Sequence, residues 1–231
     1  MPRDVAAIVV AAGQGSRVGG ATPKQFQLIR GIPLVLRAIR PFVDHPDITQ
    51  VFIVLPPAAV AEPPDFLATL PAALISIISG GAHRADSVRL GLATLKPECT
   101  VVLVHDGARP FAERAIIDQV INYARRGEAA VPAIPLSDTL KEVSRQQPTR
   151  VVRTRPRARL WRAQTPQGFP RAILEQAHAR AARLGRRATD DAALVEALGF
   201  PVRLVPDSSR NLKVTTPEDL ALAELLAGDD A

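Results

Sequence analysis

The stretch "AAGQGSRVGGATPKQ", residues 11–25, places four glycines, two cations and a proline directly after an apolar run. Glycines let a backbone approach phosphate oxygens and aim N–H groups at them. Arg17 and Lys24 would add two positive charges around one polyanion. Two familiar phosphate loops do not describe the stretch. G-x-G-x-x-G fits at Gly13 and Gly15 but meets Val18, and G-x-x-x-x-G-K-[ST] fits at Gly15 and Gly20 but meets Ala21. What remains is A-A-G-x-G-x-R, a short gap and P-K-Q. The spacing points to a phosphate site of another kind; the plain alternative is a surface loop with ordinary cations.

Three further stretches carry chemistry-bearing residues. In "HDGARP" (105–110) an acid, Asp106, ends an apolar run, where it can hold Mg²⁺ or orient a substrate hydroxyl, or simply make an Asp-Gly turn. In "GGAHRADSV" (80–88) paired glycines precede a helix whose first turn holds Asp86 and Ser87. Ser87 can bond a ligand there or cap the helix, and His83 reads as a loop residue. In "NLKVT" (211–215) strand alternation sets Leu212 and Val214 on one face and Asn211, Lys213 and Thr215 on the other.

These residues need a scaffold. "VAAIVVAA" (5–12), "VFIVLP" (51–56), "LISIIS" (74–79), "TVVLVH" (100–105), "AAVPAIP" (129–135) and residues 202–206 read as strands, and "NLKVT" as a short one. Residues 33–43 read as a helix with Pro33 at its first position. So do 84–95, where Val88, Leu92 and Leu95 share a face, and 113–126, 170–184, 190–198 and 216–226. The last has Thr216 as N-cap and Pro217 at N1. The alternation predicts an α/β fold: a Rossmann-like, mostly parallel sheet with helices on both faces. Ligands of such sheets bind at the carboxyl ends of the strands. The pattern breaks at 136–155, where "SDTLKEVS" and "TRVVRT" flank "RQQP". This reads as a protruding β-hairpin arm, which is marginal in water and calls for something to pack on.

The chain has 231 residues, 47% of them hydrophobic, enough for one large α/β domain spanning 1–231. The net charge of +6 suits a polyanionic partner, but aromatics make up only 4%, which argues against a base-stacking nucleic-acid surface. The single Cys99 excludes an internal disulfide framework and any multi-Cys zinc site, so a cytoplasmic location is expected. No apolar run is long enough to span a bilayer, so no membrane partner is expected.

Taken in order, "AAGQGSR…PKQ", "GGAHRADSV", "VLVHDGARP" (102–110), "SDTLK" (137–141), "RARLWRAQTPQGF" (157–169), "ATDDA" (188–192) and "NLKVTTPEDLALAE" (211–224) resemble one family along nearly the whole chain. The opening loop is shared by nucleotidyltransferases acting on sugar and polyol phosphates. The later motifs resemble the 2-C-methyl-D-erythritol 4-phosphate cytidylyltransferase family of the non-mevalonate isoprenoid pathway. The resemblance implies a transferase that joins CTP to methylerythritol phosphate with Mg²⁺ and releases pyrophosphate. Arg17, Lys24 and Lys213 would neutralise phosphate charge. The backbone of Ala11, Ala12, Gly13 and Gly15 would cradle CTP, with Gly81, Ala82 and Ser87 reading the cytosine edge. Asp106 would serve both the metal and the substrates. Arg109, Thr139, Arg157 and Thr189 would hold the methylerythritol phosphate.

The resemblance also implies a homodimer whose arm, at about 136–157, brings Arg157 to the partner's site. Two positions depart from the family pattern. Pro156 replaces an acid before Arg157, and Arg210 stands where some relatives carry an acid before Asn211. The register of Arg157 rests on "LW" (160–161). The rival readings are a ribitol-phosphate cytidylyltransferase, a molybdopterin or sugar nucleotidyltransferase, and a non-enzymatic CTP-binding regulator. Some relatives are fused to a downstream cyclase domain, an activity not expected of this chain.

Overall fold

The computed structural model describes residues 3–13 and 23–228; Gly15 and Arg17 lie outside the described residues. The chain runs β1 (Val5–Val10), β2 (Leu28–Ile29), β3 (Ile32–Pro33), α1 (Leu34–Val43), β4 (Ile48–Leu55), α2 (Pro57–Ala61), β5 (Ile75–Ser79), α3 (Arg84–Leu92) and β6 (Val101–Asp106). It continues with α4 (Arg114–Arg125), β7 (Ala129–Pro135), β8 (Leu140–Val143), β9 (Val151–Arg155), β10 (Trp161–Ala163) and β11 (Gln167–Pro170). Then follow α5 (Arg171–Arg183), α6 (Asp191–Glu196), β12 (Val202–Pro206) and α7 (Pro217–Leu226).

Eight strands form one sheet, ordered β5-β4-β1-β6-β11-β7, with β10 and β12 also paired to β7. β1 pairs in parallel with β4 on one side and β6 on the other. The chain moves outward from β1 through β4 to β5, then returns to β6 across β1. That reversal opens a crevice at the carboxyl ends of β1 and β6, the usual ligand site of such sheets.

Period-two alternation explains the two layers. Val5, Ala7 and Val9 pack on the face covered by α1 and α4. Ala6 and Ile8 pack on the face covered by α3, α5 and α6. With both faces covered, β1 is apolar at every position. A smaller third cluster joins Ile29, Leu34 and Val214 to Ala223 and Ala227 of α7 and its end. Among the described residues no helix is long and apolar enough to cross a membrane.

The expected parallel strands are present, and the sheet is mixed: β10 and β11 run antiparallel to their neighbours. "NLKVT" is not a strand, although its alternation holds in part. Leu212 and Val214 join the third cluster while Lys213 is exposed. It lies beside no strand edge; the Val214 N–H donates instead to the Ala108 carbonyl (2.9 Å). Pro33 is the N-cap of α1 and not its first residue. Leu95 lies beyond the end of α3 yet is buried. Within the expected arm, β8 and β9 pair as a separate two-stranded antiparallel sheet.

Gly168 shows how tightly α4 seats on the sheet. A Cβ there would lie 2.2 Å from Val120 Cγ1 and 3.1 Å from the Val120 carbonyl oxygen. Gly168→Ala is therefore expected to lower the unfolding free energy by about 1–3 kcal/mol through overpacking. A urea titration checks this, and an unchanged midpoint would refute the packing account.

Candidate active site

A cleft of about 370 Å³ opens at the carboxyl ends of β1 and β6. It is lined by the turn after β1 (Ala11, Ala12, Gly13), the turn after β5 (Gly81, Ala82), and by Lys24, Ser87, Asp106 and Lys213. Nine of the predicted site residues thus meet in one cavity. The turn after β5 approaches β1 closely, since a Cβ on Gly80 would lie 2.3 Å from that of Ala12.

Asp106, the last residue of β6, is 9% exposed. Its Oδ1 accepts from Arg84 Nε (3.0 Å) and its Oδ2 from Lys213 Nζ (2.7 Å). Burial would raise its pKa, but the charges of Arg84 and Lys213 outweigh burial and hold the carboxyl well below the usual range. The backbone beneath it is clamped. The Asp106 N–H donates to Thr165 Oγ1 (3.0 Å), which also contacts His105 Nδ1 (3.0 Å). His105 Nε2 lies 3.0 Å from the Arg109 carbonyl oxygen. One tautomer satisfies the chain: Thr165 O–H donating to Nδ1, and Nε2–H donating to Arg109. Burial pushes the His105 pKa down to about 4, so the ring is neutral at pH 7.

Lys24 and Lys213 are far apart in sequence and adjacent in space. Lys24 Nζ donates to the carbonyl of Val214 (2.9 Å), the residue next to Lys213. The segment carrying Lys213 is fixed at both ends. Arg109 NH1 (2.6 Å) and Gln164 Nε2 (3.0 Å) donate to the Asn211 carbonyl. Asp219 Oδ2 accepts from the N–H groups of Thr215 (2.8 Å) and Thr216 (2.9 Å). Thr216 Oγ1 caps α7 by accepting from the Asp219 N–H (3.3 Å). Ser87 Oγ accepts from the Gly81 N–H (3.2 Å) and donates to the His83 carbonyl (3.3 Å). His83 is the N-cap residue of α3, so it is more than the loop residue the sequence suggests.

The remaining predicted residues lie elsewhere. Arg109 is buried in an adjoining cavity that shares Lys213, and its guanidinium is committed to backbone carbonyls. Thr139 and Arg157 are exposed on and beside the arm, where Arg157 NH1 donates to the Ser137 carbonyl. Thr189 is exposed just before α6. None of these four lines the main cleft. Sequence reasoning missed Arg84, His105 and Thr165. A cation two residues before an Asp-Ser pair is unremarkable until the fold sets it between carboxylates.

The neutral His105 predicts a pH dependence of stability. Its folded pKa lies below its ordinary value of 6.5, so as pH falls the unfolded chain takes up the proton first. Its contribution is fully present above pH 6.5 and is lost as pH falls through about 4. His45, also lowered mainly by burial, adds to the same slope. Urea unfolding of the ligand-free chain from pH 7 to pH 4 should show that decline, and His105→Gln should flatten it in part. An identical slope in the variant would refute it.

Comparison with known proteins agrees with this architecture. The family model for 2-C-methyl-D-erythritol 4-phosphate cytidylyltransferase matches residues 5–228. A protein of that name from Syntrophus aciditrophicus is 41% identical over 230 residues, covering 97% of this chain and 96% of its own. Another from Frankia casuarinae is 44% identical over 223 residues, covering 96% of this chain and 80% of its own. The crystal structure of the Thermus thermophilus protein of that name superposes with a TM-score of 0.79 at 38% identity. It covers 96% of this chain and 98% of its own. With its motifs, its fold and its relatives in agreement from the first strand to the last helix, the chain belongs to the 2-C-methyl-D-erythritol 4-phosphate cytidylyltransferase family.

Proposed function

We propose that this chain transfers a cytidylyl group from CTP to 2-C-methyl-D-erythritol 4-phosphate. The products are 4-diphosphocytidyl-2-C-methyl-D-erythritol and pyrophosphate, a step of isoprenoid precursor synthesis. One observation carries the reading: Lys24, Lys213 and Asp106 converge with the Ala11–Gly13 and Gly81–Ala82 turns in a single cleft.

A phosphate oxygen of the polyol substrate attacks the α-phosphorus of CTP in line. The bond to the bridging oxygen breaks, and its electron pair departs with pyrophosphate. Such transfers depend on positioning and charge stabilisation, with little covalent work for side chains. Lys213 faces the α-phosphate and Lys24 the departing phosphates, a role the sequence motif also assigns to Arg17. The backbone of Ala11, Ala12 and Gly13 lies along the triphosphate, and the sequence motif assigns Gly15 to the same role. Ser87 supports the choice of base. Its hydroxyl proton goes to His83, which leaves acceptor capacity only. Cytosine offers an amine donor to such a group, where uracil offers a carbonyl.

The donor set fits Mg²⁺ carried in with a nucleotide. Among the described residues there is no group of three or more His, Cys, Asp or Glu able to hold a metal alone. Mg²⁺ commonly binds through one or two carboxylates plus substrate phosphates, and Asp106 supplies such a carboxylate. Bound there, Mg²⁺ supplies neutralisation of charge on the phosphate oxygens. The methylerythritol phosphate is assigned to Asp106 and Arg109, with Thr139, Arg157 and Thr189 completing its pocket across a homodimer. Val151 and Val152, 52% and 62% exposed on an arm with no cover of its own, support a second copy as what packs there. A single cysteine, Cys99, allows no internal disulfide, which supports a cytoplasmic location.

Pyrophosphate release with Mg²⁺, measured across four nucleoside triphosphates and with methylerythritol or ribitol phosphate, tests the assignment. Activity is expected with CTP and methylerythritol phosphate. Activity with CTP and ribitol phosphate alone would reassign the polyol substrate. Lys24→Ala and Lys213→Ala should each lower the rate by roughly 10²–10³-fold while circular dichroism is unchanged. Near-normal turnover of both variants would sink the mechanism.

A further inference from the structure

The motif "ATDDA" contains two consecutive aspartates with different surroundings. Asp190 is the N-cap of α6, its Oδ1 accepting from the Ala193 N–H (3.0 Å). Its Oδ2 accepts from Gln167 Nε2 (2.8 Å), while Gln167 Oε1 accepts from the Ala192 N–H (3.1 Å). The start of α6 is thereby fixed to β11 without help from Asp191. Asp191 is 1% exposed, and its side-chain bonds reach other helices. Its Oδ2 accepts from Arg84 NH1 (2.6 Å) on α3, and its Oδ1 lies 2.9 Å from His178 Nε2 on α5. Burial opposes ionisation of Asp191, but Arg84 and His178 outweigh burial and lower its pKa.

Arg84 is therefore stretched between two carboxylates: Nε on Asp106 (3.0 Å) and NH1 on Asp191 (2.6 Å). Its third nitrogen, NH2, is buried without a hydrogen-bond partner among the described residues. Arginine–carboxylate pairs are frequently bidentate, with two parallel N–H groups on one carboxylate, but Arg84 divides its nitrogens between two acids. Here the guanidinium is held so that a single nitrogen reaches Asp106. That leaves Asp106 Oδ2 to Lys213, whose side chain is 42% exposed.

We propose that Asp191, held by His178, is a positioning residue: it fixes Arg84 edge-on to Asp106, keeping one Asp106 oxygen committed to the protein and the other exchangeable when nucleotide enters. This rests on the reading of the cleft as the CTP site. Without Asp191 the Arg84 fork is free to rotate onto both Asp106 oxygens, competing with ligand for that carboxylate. Asp191 itself touches neither substrate in this account. Its effect is carried through Arg84.

The test uses the full chain as Asp191→Asn, His178→Ala and His178→Gln, with CTP binding by calorimetry in Mg²⁺ beside steady-state kinetics and thermal melts. Asp191→Asn is expected to weaken CTP binding and lower kcat/KM for CTP by roughly 10–100-fold, the usual range for losing an outer partner of a site. Asp106 serves both substrates, so KM for methylerythritol phosphate should rise too; rescue by His178→Gln at an unchanged melting temperature is the outcome that general loosening would not produce. His178→Ala should move CTP affinity in the same direction, and His178→Gln should restore it, since the amide can donate to Asp191. A folded Asp191→Asn chain with wild-type CTP affinity overturns the proposal. If Asp191→Asn does not fold, the His178 pair decides: equal CTP affinity in the two variants overturns it, and rescue by Gln sustains it. Wild-type chain that binds no CTP removes the functional reading and this inference together. Active wild type with indifferent variants removes the inference alone.

Discussion

The Asp106 carboxylate ends a fully covered strand with little access to water, and an ionised group there is stable only beside compensating charge. Two cations, Arg84 and Lys213, come to it from helix α3 and from the segment before α7. A second buried acid, Asp191, balances Arg84. The four groups sum to zero charge, and each is brought by a different part of the chain. The arrangement ties the first half of the sheet to the C-terminal third around a single carboxylate. It also explains why the "HDGARP" turn is braced from below by Thr165 and His105. A buried ion pair is stable only where geometry is good and the remaining polar groups are satisfied.

The placement of Lys213 needs a different device. A strand in the sheet would hold a lysine by its ladder bonds, yet residues 211–216 lie along no strand edge. Side chains and loop carbonyls substitute for the ladder: Arg109 and Gln164 at Asn211, Ala108 at Val214, and Asp219 at Thr215 and Thr216. Leu212 and Val214 add apolar anchorage against α7. Lys24 then bonds to the same segment, next to the residue that carries the other cation. Two cations share one backbone support.

Much of this was legible in the sequence. Apolar runs gave the parallel strands because both faces of the sheet are covered, and that burial removes any polar alternation from β1 and β6. Thr216–Pro217 marked the start of α7 because capping is local chemistry. Asp106, Lys24, Lys213 and the glycine turns stood out because their motifs are compact. The strands β10 and β11 were not legible: three or four residues each, they are defined by their neighbours and carry no periodicity of their own. Nor was the role of Arg84. One arginine among many acquires meaning only when α3, β6 and α6 set two acids within its reach.

The exposed arm follows from the same logic of unfinished contacts. A two-stranded antiparallel unit has too little covered surface to be stable by itself in water. Every residue of β9 is exposed, and ion pairs of Glu142 with Arg153 and Arg155 link the two strands on the surface. Exposed pairs of this kind contribute little. Leu140, Val143, Val151 and Val152 remain in solvent on the same hairpin. Arg157, just beyond it, does not line the cleft. The hairpin therefore leaves apolar surface uncovered that its own two strands cannot bury. The proposed homodimer gives that surface a cover.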